Sequence, residues 1–192
     1  GAAPAFLQTH PITSSRINDI ESRLKDFPYK QRVDSQTFYY VKGKLKALLG
    51  DKSDTKNILE ENIKNKIYIN EGGERFALAY VYLMDNEFKK SQEQIQWLFD
   101  NEQSNPMLIQ LYINYLIKIN KLSEAKKLYE ENLNYFPSNR SFIYGLADMY
   151  IKTEESEKAI KLLKKNSRRF SNDPNLYKLF AKSYANQGKK LL

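Results

Sequence analysis

PMLIQLYINYLIKINKLSEAKKLYEENLNYFPSN (residues 106–139) runs directly into RSFIYGLADMYIKTEESEKAIKLLKKNSRRFSND (residues 140–173), and the two segments, each 34 residues long, align without a gap. Ala125 falls on Ala159, Phe136 on Phe170, and the preceding Asn105 on Asn139. Pro106, Arg140 and Pro174 mark three successive starts. Self-similarity at such a period is the mark of a stacked repeat, in which each unit is one helical hairpin that cannot bury its apolar face alone.

The offsets within each unit have physical reasons. The fourth residue is Ile109, Ile143 or Tyr177 and the seventh is Tyr112, Leu146 or Phe180, so bulky groups recur on one side of a helix. The eighth is small in Ala147 and Ala181 but is Ile113 in the unit from 106, which predicts looser or shifted packing there. The eleventh is Leu116, Tyr150 or Tyr184, and the twentieth is Ala125 or Ala159, where two helices cross closely. A unit upstream, starting at Gly72, gives Leu78, Ala79, Tyr82, Ser91 and Ile95 at equivalent places, with Arg75 where an apolar group is usual.

This period and these offsets resemble the tetratricopeptide repeat. The resemblance implies an all-α fold, a superhelix (α-solenoid) of antiparallel helix pairs, with an N-terminal extended segment and helix before it. The units are expected at 72–105, 106–139 and 140–173, with a degenerate repeat at about 34–71 and a partial one at 174–192. In the degenerate unit Phe38, Tyr40, Val41, Leu45 and Leu48 form one helix and Ile58, Leu59 and Ile63 the next, and Gly72-Gly73 breaks the chain. The repeat domain spans 29–192, and 1–28 form a separate piece.

Composition narrows the function. The net charge is +8, but residues 154–192 hold eight Lys and two Arg against three Glu and one Asp, so +6 of it sits at one end. A basic end without a finger, homeodomain or aromatic RNA-binding motif gives no expectation of nucleic-acid binding. Cysteine is absent, which excludes a disulfide framework and thiol chemistry. No apolar run approaches the roughly 20 residues that span a bilayer, so membrane contact is expected to be peripheral at most.

The N-terminal piece is more specific. Two prolines, Pro4 and Pro11, predict an extended segment, and Ile17, Ile20 and Leu24 then place one apolar stripe on a helix capped by Thr13 or Ser14. Phe6-Leu7-Gln8-Thr9-His10-Pro11, followed by Arg16-Ile17, resembles the end of the peptidase domain in zinc metallopeptidases related to the bacterial beta-barrel assembly-enhancing protease, where a repeat domain follows. That family uses an H-E-x-x-H helix and a further Glu, whereas this chain has one histidine. Two helix histidines hold the zinc and the Glu acts as base on its water, so the chain itself is not expected to hydrolyse peptides. It reads as a C-terminal fragment, with truncation at the array's far end too or a capping helix over 189–192. No cofactor is expected in it, and zinc is expected in the full-length parent. The resemblance makes His10 a regulatory zinc contact in that parent; taken alone, His10 is a surface histidine supplying one of the four ligands a closed site needs.

Stacked units carry an inner wall made of their first helices, the usual peptide-binding surface of such repeats. The fifth, ninth and twelfth places should face it: Phe76, Tyr80 and Leu83; Gln110, Asn114 and Ile117; Tyr144, Asp148 and Ile151; Lys178 and Lys182. Aromatics supply contact area and the amides can pair with a peptide backbone. The competing reading packs Phe76, Tyr80 and Tyr144 between repeats. Lys161, Lys164, Lys165, Arg168 and Arg169 share one helical ridge, read as a solvated face or as a surface for an acidic partner or anionic lipid. No nucleophile, base and orienter come together. The expected function is a protein-interaction module of a periplasmic metallopeptidase, with outer-membrane proteins or their assembly machinery as partners. The alternative is a free-standing tetratricopeptide adaptor, with Thr9-His10-Pro11 a coincidence.

Overall fold

A polar capping residue recurs at the start of every second helix. In the computed structural model, which describes residues 34–188 together with Asn18, Glu21 and Ser22, the side chains of Ser35, Asn70, Asn105, Asn139 and Asp173 each accept a hydrogen bond from a first-turn backbone N–H. Such caps satisfy amides that have no partner within the helix, each contributing about 1 kcal/mol. They open α1 (Gln36–Leu49), α3 (Glu71–Met84), α5 (Pro106–Lys118), α7 (Arg140–Lys152) and α9 (Pro174–Asn186). Between them lie α2 (Lys52–Asn65), α4 (Phe88–Asn101), α6 (Leu122–Tyr135) and α8 (Ser156–Asn166). From Ser35 onward the described residues thus form helices in antiparallel pairs, within a compact unit that begins at Ser35, and hold no strand. The expectations for His10, for Ile17, Ile20 and Leu24, and for 189–192 lie outside the described residues.

The turn inside each hairpin is equally periodic. Asn86, Asn120, Glu154 and Gly188 stand 34 residues apart and all take left-handed φ, from 60° to 68°. The next residue's amide reaches back into the helix: Glu87 N–H to Tyr82, Lys121 N–H to Leu116, Glu155 N–H to Tyr150. This 6→1 closure suits Gly and Asn, and Glu154 departs from that preference.

The core follows the repeat offsets. Leu78, Ile109, Ile143, Leu116, Ala125 and Ala159 are buried, as are Ile95 and Leu163 from the second helices. A buried Leu or Ile contributes about 1.5–3 kcal/mol. At the α3–α4 crossing the small residue is Ser91, fully buried, its hydroxyl donating to the Ala79 carbonyl at 2.9 Å. Arg75 is satisfied where an apolar residue was expected. Its guanidinium lies 4.3 Å over Trp97 and bonds Glu71 and Gln94.

Two expectations are corrected. Gly72 and Gly73 do not break the chain; both are buried in the first turn of α3, where a Cβ on Gly73 would come within 3.0 Å of Tyr39 Cβ. Across the same contact a Cβ on Gly43 would stand 2.6 Å from the Gly73 carbonyl, so two glycines let α1 and α3 touch. Arg168 and Arg169 lie beyond the end of α8, so the ridge of five is not on one helix. Phe38, Tyr40, Val41, Leu45 and Leu48 share α1 as expected; Tyr40, Gly43 and Ala47 are its buried residues, while Phe38, Val41, Leu45 and Leu48 are exposed.

Candidate functional site: the first-helix wall

The wall is a line of polar and aromatic groups, joined between α3 and α5 and between α7 and α9. Tyr80, Asn114, Asp148 and Lys182 hold the same place in successive first helices. Asn114 Nδ2 donates to Tyr80 Oη at 3.2 Å, and Lys182 Nζ stands 3.7 Å from Asp148, which Lys152 also pairs at 2.8 Å. One turn earlier, Gln110 Nε2 donates to Asn114 Oδ1 at 2.9 Å and to Tyr129 Oη at 2.8 Å. Gln110 Oε1 is buried with no hydrogen-bond partner among the described residues. A buried acceptor without a partner costs about 1–3 kcal/mol.

The wall also holds a pocket of about 240 Å3, lined by Lys44, Phe76, Tyr80, Met107, Gln110 and Ser141 among others. Its lining comes entirely from first helices and their caps. Lys44 Nζ lies 5.4 Å from the centre of the Tyr80 ring, a cation–π contact.

The expected wall residues divide by depth. Gln110, Asn114, Ile117, Tyr144 and Asp148 are half-buried, and Lys178 and Lys182 are exposed. Phe76, in contrast, is fully buried, stacked on Tyr40 at 4.5 Å and 15°. Leu83 and Ile151 are buried as well, and Tyr80 keeps 7% of its surface. Tyr144 packs within its own repeat: its ring meets Phe170 edge-on at 5.5 Å and its hydroxyl donates to Asp173, the unit's last residue, at 3.0 Å. Burial first, then that hydrogen bond, pushes the Tyr144 phenol up to about 12. Sequence reasoning missed Lys44 and Tyr129, because neither occupies a wall offset. All five ridge cations, Lys161, Lys164, Lys165, Arg168 and Arg169, are exposed.

Two carboxylates at helix ends within the array differ in setting. Glu102, against Gly72 and near Glu71, is pushed above the usual carboxylate range by burial and then by Glu71. Glu155 is held down to about 2 by hydrogen bonds from Lys126, Lys158 and Thr153. Among the described residues no group of three or more His, Cys, Asp and Glu could hold a metal, so these residues do not furnish a zinc site. No described helix is long and apolar enough to cross a membrane.

A sequence profile described as tetratricopeptide repeat matches residues 116–183, from the end of α5 into α9. The array is a tetratricopeptide-repeat solenoid. The chain is also similar to the beta-barrel assembly-enhancing protease of Yersinia pestis, at 22% identity over 187 residues, covering 96% of this chain and 38% of that protein. The protein of the same name from Escherichia coli K12 is 22% identical over 184 residues, covering 95% of this chain and 37% of its own length. The chain therefore spans well under half the length of these relatives.

Proposed function

We propose that this array is the protein-interaction region of a longer zinc-dependent metallopeptidase of the bacterial periplasm. On this reading the first-helix wall holds segments of outer-membrane proteins or of the machinery that assembles them. Tetratricopeptide arrays generally serve protein partners. The observation carrying the finer reading is the reach of the similarity. It extends over 187 residues, well beyond the repeats, to proteins named for enhancing beta-barrel assembly. The peptidase chemistry, its zinc and any contact of His10 with that zinc belong to the parent chain. An H-E-x-x-H helix in the parent reading frame upstream of this sequence is the expected finding; a frame without one leaves a tetratricopeptide adaptor.

The wall supports the binding role chemically. An extended segment could rest a side chain on half-buried Met107 in the pocket while its backbone pairs with the half-buried Asn114 amide on the wall. Fluorescence anisotropy with a labelled, urea-diluted outer-membrane β-barrel protein tests this. Saturable binding is expected, weakened about tenfold, or 1.4 kcal/mol, by Tyr80→Ala with Asn114→Ala at unchanged helicity. Equal binding by the folded double variant would remove the wall from the account.

A further inference from the structure

The opposite, second-helix side holds a cleft of about 440 Å3 between α4 and α6. Its floor is Ile95 and Phe99 of α4, Ile109 and Tyr112 of α5, and Leu128 of α6. Phe99 stays 38% exposed, its ring edge-on to Tyr112 at 5.6 Å. No charged side chain is among the lining residues.

The neighbouring junctions show why this one is open. Where α2 meets the next unit, Lys56 pairs with Glu87 at 2.9 Å and Tyr82 Oη donates to Glu60 at 2.6 Å. Where α6 meets the next unit the same two clasps recur, Lys126 with Glu155 and Tyr150 Oη with Glu130 at 2.8 Å. At the junction of α4 with α5 and α6 those positions are Gln92, Lys121, Leu116 and Gln96, so neither clasp can form. Lys121 pairs locally with Glu124 instead, and Tyr115 Oη donates to Gln92 Oε1 at 2.9 Å.

We propose that this unclasped cleft is a docking site for a partner protein that inserts one large uncharged side chain, an aromatic above all. The chemistry of the lining selects that occupant. A charged group entering an uncharged, largely apolar cleft would lose hydration and find no counter-ion. The rim then fits the backbone around the inserted side chain. Asn132 Nδ2 is committed to the Leu128 carbonyl and Gln96 Nε2 to Asp100, which leaves both amide oxygens as acceptors. Gln92 Oε1 is taken by Tyr115, which leaves its NH2 as donor. The volume lies within the roughly 300–1,000 Å3 of ligand pockets in general. This inference is independent of the first-helix wall.

The test is a titration of the full chain, methyl-labelled at Ile, Leu and Met, with N-acetyl-L-tryptophanamide and, separately, N-acetyl-L-aspartamide, followed by NMR. The expected result is saturable shifts at Ile95, Ile109 and Leu128 with the tryptophan probe alone, while Met107 on the wall stays still. Gln92→Lys with Lys121→Glu installs the missing ion pair and should weaken binding about tenfold with the melting temperature held or raised. Phe99→Ala, at a partly exposed position, gives a second reading should that pair misfold, and should also weaken binding. Shifts that are absent, centred on Met107, equal for the aspartate probe, or unchanged in the folded variants would overturn the proposal.

Discussion

The junction of α4 with α5 and α6 and the junction of α6 with α7 and α8 are built on the same 34-residue frame yet are held differently. The second is tied three ways. Lys126 meets Glu155, Tyr150 meets Glu130, and Tyr129 reaches from α6 to Gln110 on α5 while packing edge-on against Phe142 on α7. In the first, Ile95 stands in the place of Tyr129 and glutamines replace the Lys and Glu. The repeat positions that define the hairpin are kept in both. What differs is the set of positions between units, which decides whether a gap is closed from within or left open for another protein. Ile113, which led us to expect looser packing in its unit, is itself fully buried and does not line the cleft between the two units.

Substitutions in the clasped junction should show how far that difference reaches. Tyr129→Ala removes a ring that is 3% exposed and lies 2.3 Å from where a Gly145 Cβ would stand. Urea unfolding should register a loss of about 3–5 kcal/mol, the range for large aromatic truncations. Glu154→Gly, in the turn leading into Glu155, should stabilise by about 0.5–1 kcal/mol, since a left-handed φ of 61° costs a side chain roughly 1–2 kcal/mol and glycine much of that in chain entropy. An unchanged or lower melting temperature would show the turn to be unstrained.

Acid should act, weakly, on the clasped junctions, where Glu155 and Glu87 are both held below the ordinary carboxylate range by lysine partners. The folded Glu155 carboxyl titrates near 2, below its ordinary 4.5, so its contribution is complete above about pH 4.5 and falls away as the pH drops toward 2. Amide exchange at the start of α8 should therefore quicken between pH 5 and 3, relative to intrinsic rates, more than at the start of α6, where Lys121 meets only Glu124. Equal acceleration at both helices would mean that the clasp contributes nothing there.

Much of this architecture was legible in the sequence, and the reasons are local. Ala125 over Ala159, Pro106 and Pro174 at helix starts, and Asn105 over Asn139 each act within a few residues of themselves. The wall was legible in part. Gln110 and Asn114 fell where the offsets put them, but Phe76 is buried because Tyr40, from a unit with a degenerate pattern, stacks on it. Gly72 and Gly73 looked like a break because two adjacent glycines usually make one; only the close approach of α1 explains them inside a helix. The clasps were not legible. Lys126 and Glu155 lie 29 residues apart, and nothing in either neighbourhood announces the other until the hairpins are stacked.

The clearest test of unequal junctions is native-state hydrogen exchange across a series of low urea concentrations. Repeat arrays open in cooperative blocks that divide at their weakest interface. The account predicts two blocks, α1–α4 and α5–α9, separating at the unclasped junction. A single block, or a division at either clasped junction, would contradict it.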